Sequence, residues 1–466
     1  MRDDGSVVRH RHSLAPAETF PAVRSAADQR RSERVATLSQ TRRTLPGELK
    51  KLLAAGAIDD ATYAERRAAY DDAKRTVKRL SGRRKLELGA VVKTLEGIAA
   101  RGQLTASRLP ALFLTLQRNR EWWTTGPLLS PGRRVGFDGS QIVWQYYPGA
   151  GIQIQVLGTF GKVNALWGAR STAALGQAVD ELLPLAAERA GGLAWEYYFD
   201  YRAGKAPWVS SLAQGTALQA LSRAAQRLRR KDDVYPYTSR ALAIFQRPAP
   251  EGVRVPAGAG VHYAQYSFEP GLRILNGFIQ SLNGLYDYGK NAADSRATAL
   301  FAEGELRARE EVPTYDTGAW SLYSRGTVTH ESDLGYHTLL RDFLDSLCRR
   351  TKTAVYCDAE QHFTTYLTTT PVVKVSGRRL RGGTYGKIKM SLDKISGVTL
   401  RITRGEKLVH TRYVGNLSRG SHTIGWRVPR RAGDYTVTLA ARDLAGNPAT
   451  ATGEVEVLQP RKKKRG

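Results

Sequence analysis

From Leu49 to about residue 120 the apolar positions follow a helical period. Tyr63, Tyr70 and Val77 recur every seven residues, with Ala73 and Leu80 beside them, and Leu88, Val91, Val92, Leu95 and Ile98 form a second stripe. The spacing predicts helices packed on one another. Between about 130 and 170 the pattern shortens to two: Ile142, Trp144 and Tyr146 alternate with Val143 and Gln145, and Ile152, Ile154 and Val156 alternate with glutamines, between Gly-Pro turn signals. This predicts a β-rich segment. Helical spacing then returns as far as residue 368, with Leu218, Leu221, Ala225 and Leu228 on one face, and Ile279, Leu282 and Leu285 or Tyr286 on another. From 371 to 458 the period is two again: Val398, Leu400, Ile402; Ile424, Trp426, Val428; Tyr435, Val437, Leu439. Ser396-Gly397, Arg419-Gly420, Gly433-Asp434 and Gly446-Asn447 stand between these runs as turn candidates.

These patterns predict a multidomain α+β chain. Residues 1–43 read as a disordered basic start and 44–129 as a helical region. Residues 130–368 read as a β-rich entry segment leading into an α-helical toroid, whose loops would line its pole. Residues 371–458 read as an immunoglobulin-like β-sandwich and 459–466 as a basic tail carrying Arg461-Lys462-Lys463-Lys464-Arg465.

Charge narrows the partners. Lys and Arg number 71 against 43 Asp and Glu, a net charge of +28, which suits nucleic acid, anionic lipid or acidic glycan. No run of about 18 apolar residues predicts a membrane span. The first residues lack the apolar run of a secretory signal, so either the protein is cytosolic or its start lies upstream. The two cysteines, Cys348 and Cys357, stand nine positions apart. That proximity reads as a local disulfide and hence an oxidising compartment, against two unrelated buried thiols. No phosphate-binding loop, dinucleotide fingerprint, zinc helix or nucleophile elbow occurs, and the eight histidines show no metal-ligand spacing.

Four ordered segments carry a resemblance: WVSSLAQG from Trp208, YSFEPGLRILNGF from Tyr266 continuing through SLNGLYD to Asp287, PTYDTGAWSLY from Pro313, and the pair Tyr336-His337. In order and spacing these resemble the carboxy-terminal catalytic region of the D-glucuronyl 5-epimerases, over roughly residues 140–368. The resemblance implies an isomerase that inverts glucuronate to iduronate in a heparosan-like or heparan-like acidic polysaccharide, rather than a nucleic-acid binder. It further implies a homodimer and catalysis at Tyr266, Tyr315 and Tyr336, and the disulfide reading adds an extracellular or cell-surface setting. We place Trp208, Gln214, Gln265, Arg273, Asn276, Arg325 and His337 around the substrate; Arg273 and Arg325 are chosen as cations near the motifs.

The chemistry accounts for tyrosines and cations. The proton on carbon 5 lies α to the carboxylate, so its removal builds enolate-like charge, and inversion needs an acid on the opposite face of the ring. Neither a cofactor nor a metal is required. One departure matters: the family has a glutamate directly before the first tyrosine, and here Gln265 stands there. Glu269 substitutes for it, or Tyr315 and Tyr336 serve alone, or the protein is not a competent epimerase. The residues also allow plainer roles: a turn at Tyr315-Asp316-Thr317-Gly318, a hydrogen-bonded core pair at Tyr336 and His337, and core packing for Trp195, Tyr146, Tyr147, Tyr197 and Tyr198. A uronate lyase, a glycoside hydrolase using two of Glu196, Asp200, Glu269 and Asp316, and a non-catalytic surface glycan-binding protein remain open beside the epimerase.

Overall fold

The computed structural model describes residues 43–460. The basic start and the Arg461–Arg465 run lie outside the described residues. The chain mixes helix and sheet, with a C-terminal β-rich region, and divides into two compact units that meet in sequence at Glu310 and Glu311.

The first unit begins with α1 (Leu45–Ala54), α2 (Asp60–Arg79), α3 (Gly82–Ala100) and α4 (Leu109–Thr125). Thr44 and Asp59 cap the first two, each side chain accepting an otherwise unpaired backbone N–H of the first turn. The seven-residue repeat of α2 buries Tyr70 and Ala73 fully, and α3 buries the whole Leu88 to Ile98 stripe. Strands β1 (Arg134–Val135), β2 (Trp144–Tyr147) and β3 (Gly151–Ile154) form an antiparallel sheet in that order.

Alternation in β2 and β3 does not mark a solvent face, for every residue of both strands is buried. The glutamines are held instead: Gln153 donates to the Ala150 carbonyl at 2.6 Å, and Gln155 caps the next helix. Helical side chains satisfy the sheet's loose ends. Glu87 of α3 accepts from the Tyr146 hydroxyl at 2.8 Å and from the Gly149 and Gly151 amides, while Asn119 of α4 pairs with both backbone groups of Ile152. Buried polar contacts thus cross the expected boundary at 129/130.

Next come α5 (Val156–Gly168), α6 (Thr172–Leu182), the hairpin β4 (Ala187–Arg189) and β5 (Gly192–Ala194), then α7 (Ser211–Leu228), α8 (Lys231–Ala241) and α9 (Ala243–Gln246). The hairpin β6 (Arg254–Ala257) and β7 (Gly260–Tyr263), then β8 (Leu272–Ile274), lead to α10 (Leu275–Ala292) and α11 (Ser295–Glu311). Helix α7 is buried on all sides from Ser211 to Ser222 and α10 from Leu275 to Leu285, as befits central helices. They cross backbone to backbone. A Cβ at Gly284 would lie 2.0 Å from the Gly215 carbonyl oxygen, and one at Gly215 would lie 2.6 Å from the Ser281 Cα. Two motif glycines are therefore packing residues. Gly284→Ala is expected to cost about 1–3 kcal/mol by overpacking. A lowered denaturant midpoint at an unchanged slope would show this, whereas an unmoved midpoint would mean that the crossing parts without cost.

The second unit opens on a 3₁₀ turn (Val312–Tyr315), the hairpin β9 (Leu322–Gly326) and β10 (His330–Glu331), then α12 (Leu334–Thr351) and α13 (Ala354–Tyr366). Asp333 caps α12, and Lys352 ends it in the left-handed region at φ +56°. Cys348 and Cys357 are bridged between these two helices, with Cα atoms 5.0 Å apart.

Eight strands follow: β11 (Val373–Ser376), β12 (Arg378–Arg381), β13 (Tyr385–Leu392), β14 (Ser396–Arg404), β15 (Lys407–Leu417), β16 (Gly420–Arg427), β17 (Gly433–Asp443) and β18 (Pro448–Leu458). They form a three-stranded sheet, β11-β13-β16, and a five-stranded sheet, β12-β18-β17-β14-β15, around one core that holds the period-two residues from Val398 to Leu439. Ser396-Gly397 is not a turn but the start of β14, where Gly397 pairs with Asn416 on one side and Arg442 on the other. Pairing on both edges overrides the turn preference of the dipeptide.

Lys394 welds the β-rich region to the last helix. Its buried ammonium sits 2.9 Å from the Asp443 carboxylate and donates to the Tyr366 and Thr369 carbonyls at 3.0 and 2.5 Å. Asn447 adds a bond to the Leu367 carbonyl at 2.9 Å.

Candidate functional site

In the first unit the motif residues gather beside an aromatic pocket. Antiparallel backbone bonds of 2.8 and 3.2 Å join Tyr197 to Trp208. The Trp208 indole N–H donates to the Phe199 carbonyl at 2.8 Å, and its ring stacks on Tyr197 with centroids 4.3 Å apart. Tyr266 reaches the same place because the Ser267 amide donates to the Val209 carbonyl and the Val209 amide to the Ser267 hydroxyl, at 3.0 and 3.2 Å. Its ring stands 5.8 Å from Trp208 and 5.6 Å from Tyr201. These rings, with Tyr147, Phe199 and Gln265, line a small cavity.

Two polar atoms at this pocket, the Gln265 Oε1 and the Tyr147 hydroxyl, are buried without a hydrogen-bond partner among the described residues. Burial holds the Tyr147 phenol well above its usual range, so it keeps its proton at neutral pH. Gln265 also explains the glycine of LNGF, since a Cβ at Gly277 would lie 2.4 Å from the Gln265 Oε1. Asn276 is buried beside it, its Oδ1 accepting from the Gly277 amide at 2.9 Å.

Other candidates are committed to structure. The Gln214 amide clamps the Trp195 backbone, accepting from its N–H at 3.2 Å and donating to its carbonyl at 2.8 Å. Glu196 is buried between two guanidiniums, with Arg108 bidentate at 2.7 and 2.9 Å and Arg189 at 2.8 Å. Asp200 accepts from Lys205 at 2.6 Å and from the Ala206 amide at 3.1 Å. Glu269 lies 3.3 Å from the Arg202 guanidinium. Arg273 is half-buried on β8.

Tyr315 and Tyr336 belong to the second unit. YDTG is a turn there: the Gly318 amide donates to Asp316 Oδ1 at 2.8 Å, Gly318 takes φ +81°, and Thr317 and Trp320 close the loop by mutual hydrogen bonds. Asp316 further accepts from the Tyr366 hydroxyl at 2.9 Å and contacts His362 Nδ1 at 2.9 Å. Burial and that carboxylate push the Tyr366 phenol up to about 12. Arg325 donates to the Thr314 carbonyl at 2.6 Å and lies 6.0 Å from the centre of the Tyr315 ring. The Tyr336 ring packs 4.6 Å from Tyr323.

His337 is a core residue. Its ring stacks on Trp320 at 3.7 Å, Nε2 lies 2.9 Å from the Phe363 carbonyl, and Nδ1 lies 2.7 Å from the Ser321 hydroxyl. The neutral ring, with its proton on Nε2, satisfies both ends. Burial lowers its pKa from 6.5 to about 4. Folding therefore favours the neutral imidazole. This stability is present above the unfolded pKa and is lost as pH falls through the folded one, about 3 kcal/mol in all. The melting temperature should fall between pH 6.5 and 4, and His337→Gln should flatten that part of the profile; an unchanged slope in the variant would count against it.

Comparison with known proteins fits these motifs. Across residues 190–365 the chain matches the family model of the D-glucuronyl C5-epimerase C-terminus. The epimerase-like stretch includes all four motif segments and the cysteine bridge, starts later than the expected residue 140, and crosses from the first compact unit into the second. A D-glucuronyl C5-epimerase of Caenorhabditis elegans is 29% identical over 151 residues, 28% of this chain and 24% of that protein. An uncharacterised protein of Methanocaldococcus jannaschii is 27% identical over 173 residues, 35% of this chain and 54% of that one. The alignments thus span about a quarter of one relative and about half of the other. Among solved structures, murine CRIg gives a TM-score of 0.16 at 15% identity, over 20% of this chain and 100% of that one. A Cellulomonas fimi endo-beta-1,4-mannanase double mutant gives 0.15 at 12%, over 78% of this chain and 84% of that one. Likenesses this low carry no argument about the fold.

The epimerase motifs do not contain Tyr201, which completes the aromatic wall. Its signal was available: Tyr197, Phe199 and Tyr201 alternate, and all three rings line the pocket. Among the described residues no cluster of His, Cys, Asp or Glu has the makings of a metal site, and no helix is long and apolar enough to cross a membrane.

Proposed function

We propose that this protein inverts glucuronate to iduronate at carbon 5 within a heparosan-like acidic polysaccharide. The observation that carries the reading is that Tyr266, Tyr315 and Tyr336 all fall, in motif order, inside the stretch similar to the epimerase C-terminus. Tyr315 or Tyr336, as phenolate, takes the carbon 5 proton. The electron pair moves toward the carboxylate as an enolate, and the other of these two tyrosines returns a proton to the opposite face. Arg325, close to Tyr315, is the cation we assign to the developing charge. Gln265 cannot exchange a proton as a base, and Glu269 is engaged with Arg202, which favours the tyrosines acting without a carboxylate.

The aromatic wall of Trp208, Tyr201 and Tyr266 suits stacking on sugar faces. The cysteine bridge supports an extracellular or cell-surface setting. We extend the reading to a helical toroid in the epimerase-like stretch, an immunoglobulin-like sandwich at the C-terminal end, and a homodimer. Two sheets on one core, with β12 running parallel to β18, support the second of these.

Gln265 also favours a second reading, a glycan-binding protein without turnover. Incubation with heparosan in deuterium oxide separates the two. The epimerase reading expects deuterium at carbon 5 and iduronate signals by NMR. An unsaturated uronate end would mean a lyase, new reducing ends a hydrolase, and binding without exchange the second reading.

A further inference from the structure

The outer face of the three-stranded sheet β11-β13-β16 is charged in one sense only. Strict alternation along β13 turns Gly386, Ile388 and Met390 into the core and leaves Tyr385, Lys387 and Lys389 exposed on the other side. Register places their neighbours. Lys387 lies opposite Gly425 and Tyr385 opposite Arg427 on β16; on β11, Ser376 lies opposite Lys389, with Lys374 two positions along the same exposed face. The remaining outward positions of the paired strands are Ser391, Thr423 and Ser421, so the face holds four cations and no carboxylate. No ion pair among the described residues engages Lys374, Lys387, Lys389 or Arg427 with an acid. Within a strand, alternate side chains recur about every 7 Å, and adjacent strands lie about 5 Å apart, so the cations form a shallow lattice.

Tyr385 adds a flat surface to it. The ring lies diagonally across the strand pair on Gly425, where a Cβ would come within 2.1 Å of the phenol oxygen and 2.5 Å of two ring carbons. One ring face therefore rests on backbone, and the side chain is still 70% exposed. Covering a cross-strand glycine accounts for the seat of the ring. It does not account for four unpaired cations gathered around it.

We propose that this sheet face is a second binding site, for an acidic polysaccharide chain, with a sugar ring stacked on Tyr385 and its carboxylates on Lys387, Lys389, Arg427 and Lys374. An open aromatic face suits the C–H side of a pyranose, and well-spaced cations without competing acids suit a linear chain of carboxylates. A duplex or an anionic membrane would also be drawn to the charge, but neither would use the flat ring on its glycine seat. The choice of a uronate polymer rests on the proposed function.

The test uses the full chain and reads binding apart from turnover. Affinity for heparosan is measured at about 0.15 M salt for wild type, Lys387→Glu with Lys389→Glu, and Tyr385→Ala, beside carboxyl-reduced heparosan, duplex DNA and phosphatidylserine vesicles. Deuterium exchange is measured in parallel on a short oligosaccharide. The proposal expects heparosan binding to weaken about tenfold or more in the charge-reversal pair and severalfold in Tyr385→Ala. It expects weak binding of the reduced polymer and oligosaccharide exchange equal to wild type. Unchanged heparosan affinity in both variants overturns it, as does tighter binding of DNA or vesicles that ignores Tyr385→Ala. Loss of exchange in wild type with these binding differences intact would defeat the epimerase reading and leave this site standing.

Discussion

Phenylalanine at Tyr315 is expected to lower carbon 5 deuterium exchange by about 10²–10⁴-fold, the usual contribution of a positioned acid or base. In barrier terms that is about 3–5 kcal/mol. The substitution removes one hydroxyl and keeps the ring. Tyr315 is only 1% exposed at the end of its 3₁₀ turn, and phenylalanine keeps the ring there. Unfolding midpoints and heparosan affinity should therefore stay close to wild type while exchange collapses. Tyr336→Phe should behave alike, since its backbone amide, bonded to Asp333 at 2.7 Å, and its packing on Tyr323 do not depend on the phenol. Exchange at the wild-type rate in either variant would take that tyrosine out of the reaction.

The largest stability effect belongs to Glu196. Its carboxylate is fully buried, and both oxygens are taken up by Arg108 and Arg189. Glu196→Ala would leave two largely buried guanidiniums without their counter-charge, at a cost of about 3–5 kcal/mol. Chemical denaturation should show this directly, and Glu196→Gln, which keeps an acceptor, should lose less. The same pair of variants bears on hydrolysis. A catalytic carboxylate would lose turnover with little loss of stability, whereas a structural one loses stability first. A stable, inactive Glu196→Gln would revive the hydrolase alternative.

Period was the most legible feature of the sequence. The stripe of α3 and the inward residues of β14, β16 and β17 are buried as their spacing predicts, and along α2 Tyr70 and Ala73 are buried while Tyr63, Val77 and, just past its end, Leu80 are half-buried. Spacing says less where burial is complete. The glutamine of β3 looks like part of a solvent face in a period-two run, yet Gln153 is buried and paired with backbone. Ser396-Gly397 looks like a turn until two neighbouring strands pair with it.

Motifs carried both function and packing, and one chain does not separate them. Gly215, Gly277 and Gly284 sit in the segments that resemble the family, and each is needed where a Cβ would strike a neighbouring backbone or side chain. Gln214 and His337 have the residue types of ligand contacts, yet each has both ends of its side chain occupied by the protein itself. The partners that occupy them lie 16 to 26 residues away in sequence, at no fixed spacing. Arg108 and Glu196, 88 residues apart, illustrate the same limit at longer range.

The lock made by Lys394 has a bearing on how a long polymer would be handled. With its ammonium held by the Tyr366 carbonyl at the end of α13, the Thr369 carbonyl just beyond it and Asp443, the β-rich region is joined to α13 without a slack linker. A loosely tethered binding module raises the local concentration of its polymer over a broad range of positions, set by the length of the tether. A rigidly mounted one does so at one offset only. A chain resting on the sheet face of β13 and β16 would thus present the units a fixed number of sugars away to Tyr315 and Tyr336. Inversions along that polymer would then be spaced by a ruler rather than scattered.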